Sequence, residues 1–142
     1  MDAELAQLLA LVAEASSDSV ERKETLRRLA GVQERGLNDL AAAFESEARA
    51  LAEDPGDTEV ADSLESLAQR LKAFDKLADT LAVRASTASE PDAARALYAR
   101  LARIAEGPLG DDARAIELYE TIFEDEPGDT RASAALRAIG PT

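Results

Sequence analysis

Apolar residues along this chain recur at steps of three and four rather than two. Phe74, Leu77, Ala78, Leu81 and Ala85 form one such series, Ala94, Leu97, Leu101 and Ile104 a second, and Ala115, Tyr119, Ile122 and Phe123 a third. This spacing gathers the apolar side chains onto one stripe of an α-helix and leaves the other side polar. The pattern predicts about eight helices, at about 2–15, 19–35, 39–53, 58–70, 74–88, 91–106, 111–125 and 130–139. Ser16-Ser17-Asp18-Ser19 separates the first two, and Asp18 and Glu21 are spaced as a capping box. Gly36-Leu37 closes the second helix and Asn38 reads as the N-cap of the third. Pro55-Gly56-Asp57 makes the next turn, Ser89 and Asp92 repeat the capping-box spacing with Pro91 in the first helical turn, and Asp111 follows Gly107-Pro108-Leu109-Gly110 as a cap. The break at Leu71-Lys72-Ala73 has neither Gly nor Pro and is placed by period alone.

The period is explicit elsewhere. Pro55-Gly56-Asp57-Thr58 returns unchanged as Pro127-Gly128-Asp129-Thr130, with Pro91 midway between the two. Sliding the first half onto the second without gaps matches about 20 of about 70 positions, the mark of stacked helical hairpins. Helices this short are marginal alone and must dock on their neighbours, and short turns make consecutive helices antiparallel. Ala30, Ala43, Ala102 and Ala115 would let backbones approach closely. The expected architecture is all-α, a single helical-repeat domain over 1–142 built of paired 36-residue hairpins.

Composition and charge narrow the function. A net charge of −13 repels nucleic acid and anionic membranes alike, leaving another protein or peptide, basic or amphipathic, as the expected partner. The chain opens Met1-Asp2-Ala3-Glu4-Leu5, acidic where a secretory leader is basic, and no apolar run nears the roughly 18 residues of a membrane span, so a cytoplasmic location is expected. With no His and no Cys, the commonest general base, nucleophile pair and transition-metal ligands are missing together. Ser63, Ser66 and Ser133 have no base nearby in sequence, and Asp111-Asp112 and Glu124-Asp125-Glu126 read as helix-terminal charges. Gly107-Pro108-Leu109-Gly110 has no Lys-Ser/Thr after it, and Asp54-Pro55-Gly56-Asp57 lacks the acid spacing of a calcium loop. Neither an enzyme nor a cofactor or metal site is expected.

Leu97-Tyr98-Ala99-Arg100-Leu101-Ala102, then Leu109-Gly110-Asp111, then Ala115-Ile116-Glu117-Leu118-Tyr119-Glu120, then Asp125-Glu126-Pro127-Gly128-Asp129, resembles a tetratricopeptide repeat. That family places a Leu-small pair and an aromatic on the first helix, Gly-Asp at the turn, Ala-Ile and an aromatic on the second, and an acid-Pro ending. Residues 22–58 resemble a weaker copy, with Asn38-Asp39 for Gly-Asp and Ala43-Phe44 for Ala-Ile. The 36-residue step, longer than the family's 34, is similar to the degenerate paired repeats of long bacterial arrays, and the Ala and Arg bias fits a GC-rich genome. The resemblance implies a right-handed α-solenoid whose first helices line a concave groove for a peptide or partner helix.

Two candidate surfaces follow. Arg27, Arg28, Asp62, Gln69, Arg70, Arg100 and Arg103 lie on the first helices of their hairpins and are the polar candidates for partner contact. Glu53, Asp54 and Asp57 repeat as Asp125, Glu126 and Asp129, and a stack of paired repeats would align them as an acidic edge able to dock a basic segment. The expected function is a non-catalytic protein-interaction module or scaffold. The alternative is a structural segment of a longer array, or a unit that self-associates through open ends, since Met1 leads directly into an apolar-faced helix.

Overall fold

The structure, a computed structural model, describes residues 1–125. Among these residues it is helical throughout: α1 Asp2–Ala15, α2 Ser19–Gly31, α3 Leu40–Glu53, α4 Thr58–Leu71, α5 Phe74–Thr87, α6 Pro91–Glu106 and α7 Asp112–Asp125, with α2 prolonged by a wide π-type turn at Val32–Gly36. The helix expected at 130–139 lies outside the described residues. The chain divides into two compact units, Met1–Ala73 and Phe74–Thr142, where the sequence reads as one domain. The division falls at the repeat period: Phe74 is the counterpart of Asp2 in the second copy, so each unit is one copy of the repeat.

In the first unit α1 packs on α2, α2 on α3 and α3 on α4. Leu26, Phe44, Leu51, Val60 and Leu64 are fully buried between them, and Ala43, Ala50 and Ala68, also without exposure, leave the backbones close. In the second unit α5 packs on α6 and α6 on α7. Leu77, Leu81, Leu97 and Leu101 are buried there, and a second cluster of Ala102, Ala105, Ala115, Tyr119 and Ile122 closes the α6–α7 hairpin.

The two copies share one turn atom by atom. After α2, the Leu37 N–H donates to the Val32 carbonyl at 3.0 Å and the Asp39 N–H to the Gln33 carbonyl at 2.7 Å. After α6, Leu109 donates to Ile104 at 3.1 Å and Asp111 to Ala105 at 2.7 Å. Each turn then passes through one left-handed residue, Asn38 at φ 52 and Gly110 at φ 60. An Asp cap follows, Asp39 accepting from the Ala42 N–H and Asp111 from the Arg114 N–H, both at 3.1 Å. Asn38 is therefore the left-handed turn residue, not the N-cap, because its positive φ turns the chain and leaves Asp39 in the non-helical geometry from which a side chain reaches the first free N–H groups.

Two more breaks differ from the sequence reading. The N-cap of α6 is Glu90 rather than Ser89, and its side chain makes no cap bond; the preset φ of Pro91 at the helix start takes over that role. Of the box expected at α2, Asp18 does cap, accepting from the Val20 N–H at 3.1 Å, but Glu21 turns to the Ser16 hydroxyl. The break without Gly or Pro is a Schellman ending: Ala73 donates to Ala68 at 2.9 Å and Lys72 to Gln69 at 3.2 Å, with Lys72 itself left-handed at φ 56. A β-carbon there is strained, so Lys72→Gly is expected to stabilise the protein by about 0.5–1 kcal/mol in urea unfolding. Gly110→Ala, at a position whose added carbon meets nothing, is expected to cost about 1 kcal/mol from backbone strain alone.

Candidate interaction surface

In the first unit, α2 and α4 are joined by cross-helix bonds on the side away from the apolar core. Lys23 Nζ lies 2.9 Å from Asp57 and 3.0 Å from Asp54. One to two turns on, Arg27 reaches Glu59 at 3.3 Å and the Ser63 hydroxyl at 3.2 Å. At the far end Arg70 of α4 meets Glu34 at 2.6 Å. Arg22 pairs with Glu53 at 2.7 Å and ties the start of α2 to the end of α3. The bonded residues are 31 to 36 apart in sequence, about one repeat step, which is the signal by which opposite charges on successive hairpins could have been matched from sequence.

Beneath this ladder lies Glu47 of α3, only 4% exposed. Its Oε1 accepts from the Arg27 Nε at 3.4 Å and its Oε2 has no hydrogen-bond partner. Burial pushes the Glu47 carboxyl above the usual carboxylate range, and Arg27 only partly offsets this. Two of the paired acids, Glu53 and Asp57, move the other way. The hydrogen bond from Arg22 holds Glu53 low. For Asp57, burial raises the carboxyl but Lys23 and the Val60 and Glu59 N–H groups outweigh it, and Lys23 is raised in return, first by Asp57 and then by Asp54.

The second copy solves the same position differently. Tyr119, the counterpart of Glu47 there, buries its ring and donates its hydroxyl to Glu106 at 3.0 Å. Ala99 stands where Arg27 does, so no cation is called to this seat.

The polar candidates thus fall into two groups. Arg27 and Arg70 are tied to acids of their own unit. Arg28, Asp62, Gln69 and Arg103 are exposed, and Arg100 is half-buried. Arg28, Asp62 and Gln69 are the sequence neighbours of Arg27, Ser63 and Arg70, so they flank the ladder. Of the expected acidic edge, Glu53, Asp54 and Asp57 are half-buried and matched by Arg22 and Lys23, because α2 brings two cations to the α3–α4 turn. Asp125 closes α7, and Glu126 and Asp129 lie outside the described residues. Glu47 escaped the sequence reading because one acid on an Ala-rich helix carries no motif.

No family model and no curated protein matches the chain in sequence. Among solved structures, MamA, a tetratricopeptide-like protein, superposes with a TM-score of 0.54 at 20% identity, over 94% of this chain and 74% of that one. At this identity the likeness establishes the fold: all-α helical hairpins of tetratricopeptide-like type.

The signs of the shifts fix a pH test. Glu47, raised in the fold, contributes stability below its unfolded titration range that is lost as pH rises through its folded value; Glu53 and Asp57, lowered, contribute stability above theirs that is lost as pH falls. Glu47→Gln is therefore expected to raise the urea midpoint at about pH 8 and to leave it unchanged near about pH 4. Arg27→Ala, which leaves the buried carboxylate unanswered, is expected to cost about 2 kcal/mol at the higher pH and less at the lower, where Glu47 takes up a proton.

Proposed function

We propose that the chain is a non-catalytic protein-interaction module that holds a peptide or partner helix on the polar side of its first-of-hairpin helices. The fold is the observation that carries this reading, since helical hairpins offer surfaces built from side chains that rigid helices position. The α2–α4 ladder adds to it. Arg27, Glu59, Ser63, Glu34 and Arg70 hold one another in place, so a ligand meets a surface whose rotamers are already fixed and whose ordering cost is reduced. In the first unit the contact residues are Arg28, Asp62 and Gln69 beside the ladder, and in the second unit, taken by itself, Arg100 and Arg103 of α6. The repeats read as a degenerate paired form of the kind found in long bacterial arrays, working in the cytoplasm.

The net charge of −13 favours a basic or amphipathic partner through long-range attraction, while the arginines fix its register through its acidic or carbonyl groups. Arg28 and Arg100 occupy the same repeat position in the two copies, so each copy offers a ligand the same cation.

Capture from the native lysate is expected to recover a defined protein, with retention falling as salt screens the attraction. The Arg100→Glu/Arg103→Glu variant, checked for an unchanged circular dichroism spectrum, is expected to weaken capture by about tenfold or more. Capture that is indifferent to this reversal would rule out α6 as the contact helix.

A further inference from the structure

α1 has two apolar faces and the fold covers one. Leu9 and Ala13 are buried against the rest of the first unit, whereas Leu8, Leu11 and Val12 are 56%, 65% and 45% exposed and Ala15 is exposed beside them. These four stand at i, i+3, i+4 and i+7, a single stripe along the solvent side of a helix of 14 residues, about 21 Å long.

The internal repeat shows that folding does not require this stripe. α5 is the copy of α1, and five inward positions are identical: Leu5 and Leu77, Ala6 and Ala78, Leu9 and Leu81, Ala10 and Ala82, Ala13 and Ala85, while the first, Asp2 and Phe74, differs. The positions of the stripe exposed on α1 all differ, and in α5 two of them, Thr80 and Arg84, are half-buried. Thr80, Val83, Arg84 and Thr87 occupy the places of Leu8, Leu11, Val12 and Ala15, so the copy is mostly polar where α1 is wholly apolar. An exposed aliphatic stripe on one copy alone is a surface for something else.

Its charge frame says what. α1 carries Asp2, Glu4 and Glu14, the next segment adds Asp18 and Glu21, and the first basic residue of the chain is Arg22. A second copy of α1 would bring acid against acid in either orientation, with no Lys or Arg on either helix to answer it. We propose that the outer face of α1 binds an amphipathic helix of a partner protein whose aliphatic stripe is flanked by Lys and Arg. Leu8, Leu11 and Val12 supply the apolar seam, and Glu4 and Glu14, exposed on the same helix, select the basic flanks. This surface is distinct from the polar side of α2 and α4, and one protein could engage each.

The test uses the whole protein and a labelled helical peptide of about 18 residues, Leu at i, i+3, i+4 and i+7 and Lys elsewhere, followed by fluorescence anisotropy. Binding is expected, weaker at about 0.3 M than at about 0.05 M salt, and absent for the same peptide with Glu in place of Lys. Leu8→Gln/Leu11→Gln is expected to weaken binding by about tenfold or more with unfolding unchanged, since both side chains face solvent, while Val83→Gln on the copy leaves it intact. Equal binding of a scrambled, non-amphipathic Leu/Lys peptide, or full binding by Leu8→Gln/Leu11→Gln, would overturn the proposal, as would no binding at all. So would a concentration-dependent dimer in sedimentation that Leu8→Gln/Leu11→Gln disperses, which would make the occupant a second copy.

Discussion

Glu47 puts a carboxyl group where the chain's own second copy puts a tyrosine, and a carboxyl so deeply buried must be answered by a cation or by a proton. Arg27 gives the answer, and much of the first unit follows from it. The guanidinium that reaches down to α3 is held in one rotamer, and from there it also meets Glu59 and Ser63 of α4. Three helices are thereby joined by one side chain. Lys23 and Arg70 extend the same seam in both directions, so the spacing of α2 and α4 is set by ion pairs above and by Leu26, Phe44 and Leu64 below. In the second unit the aromatic ring fills the seat with apolar surface and sends only its hydroxyl to Glu106, and the α6–α7 hairpin holds from within. The two copies share a backbone and differ in what locks it.

That difference governs which charges are open to a partner. A cation that answers a buried acid cannot turn outward without exposing the pair's desolvation cost, so Arg27 is structural however exposed its edge. The same holds more weakly for Lys23 and Arg22, whose acids are partly solvated and whose pairs are correspondingly softer. Arg28 and Arg103, exposed and with no buried acid to answer among the described residues, are the residues on which the proposed recognition role rests with least conflict.

Helix positions were legible in the sequence because each rests on a local signal: three- and four-residue apolar steps, Asp caps, and the Pro-Gly-Asp turn. The misreadings have local causes too. Asn38 and Asp39 are both good caps, and only the handedness of the backbone at Asn38 decides between them. Ser89 is the better capping residue, yet Glu90 takes the position because Pro91 fixes where the helix begins. The ending at Lys72 places a poor left-handed residue where glycine is usual, so no composition cue marks it. The candidate surface was less legible. A set of charged residues on first helices does not say which of them face each other, and the pairs form only once α2 and α4 lie side by side, about one repeat apart.

The repeat itself separates what the fold demands from what it does not. From Leu5 to Ala13 the inward positions of α1 match those of α5, while the first, Asp2 against Phe74, and the exposed stripe differ, as expected if packing constrains one face of a helix more than the other. On that stripe α5 carries Thr80 and Arg84, both half-buried, and Thr87, exposed, so the copy is mostly polar there. α1 departs from it with Leu8, Leu11 and Val12 in a chain otherwise charged strongly enough to stay dispersed. Periodicity alone could not separate the two faces, because a helix apolar on both sides has no preferred direction until its neighbour is placed. Once α2 is placed, the inner stripe is accounted for by folding, and the outer stripe is left as the one apolar surface of α1 that needs a different cause.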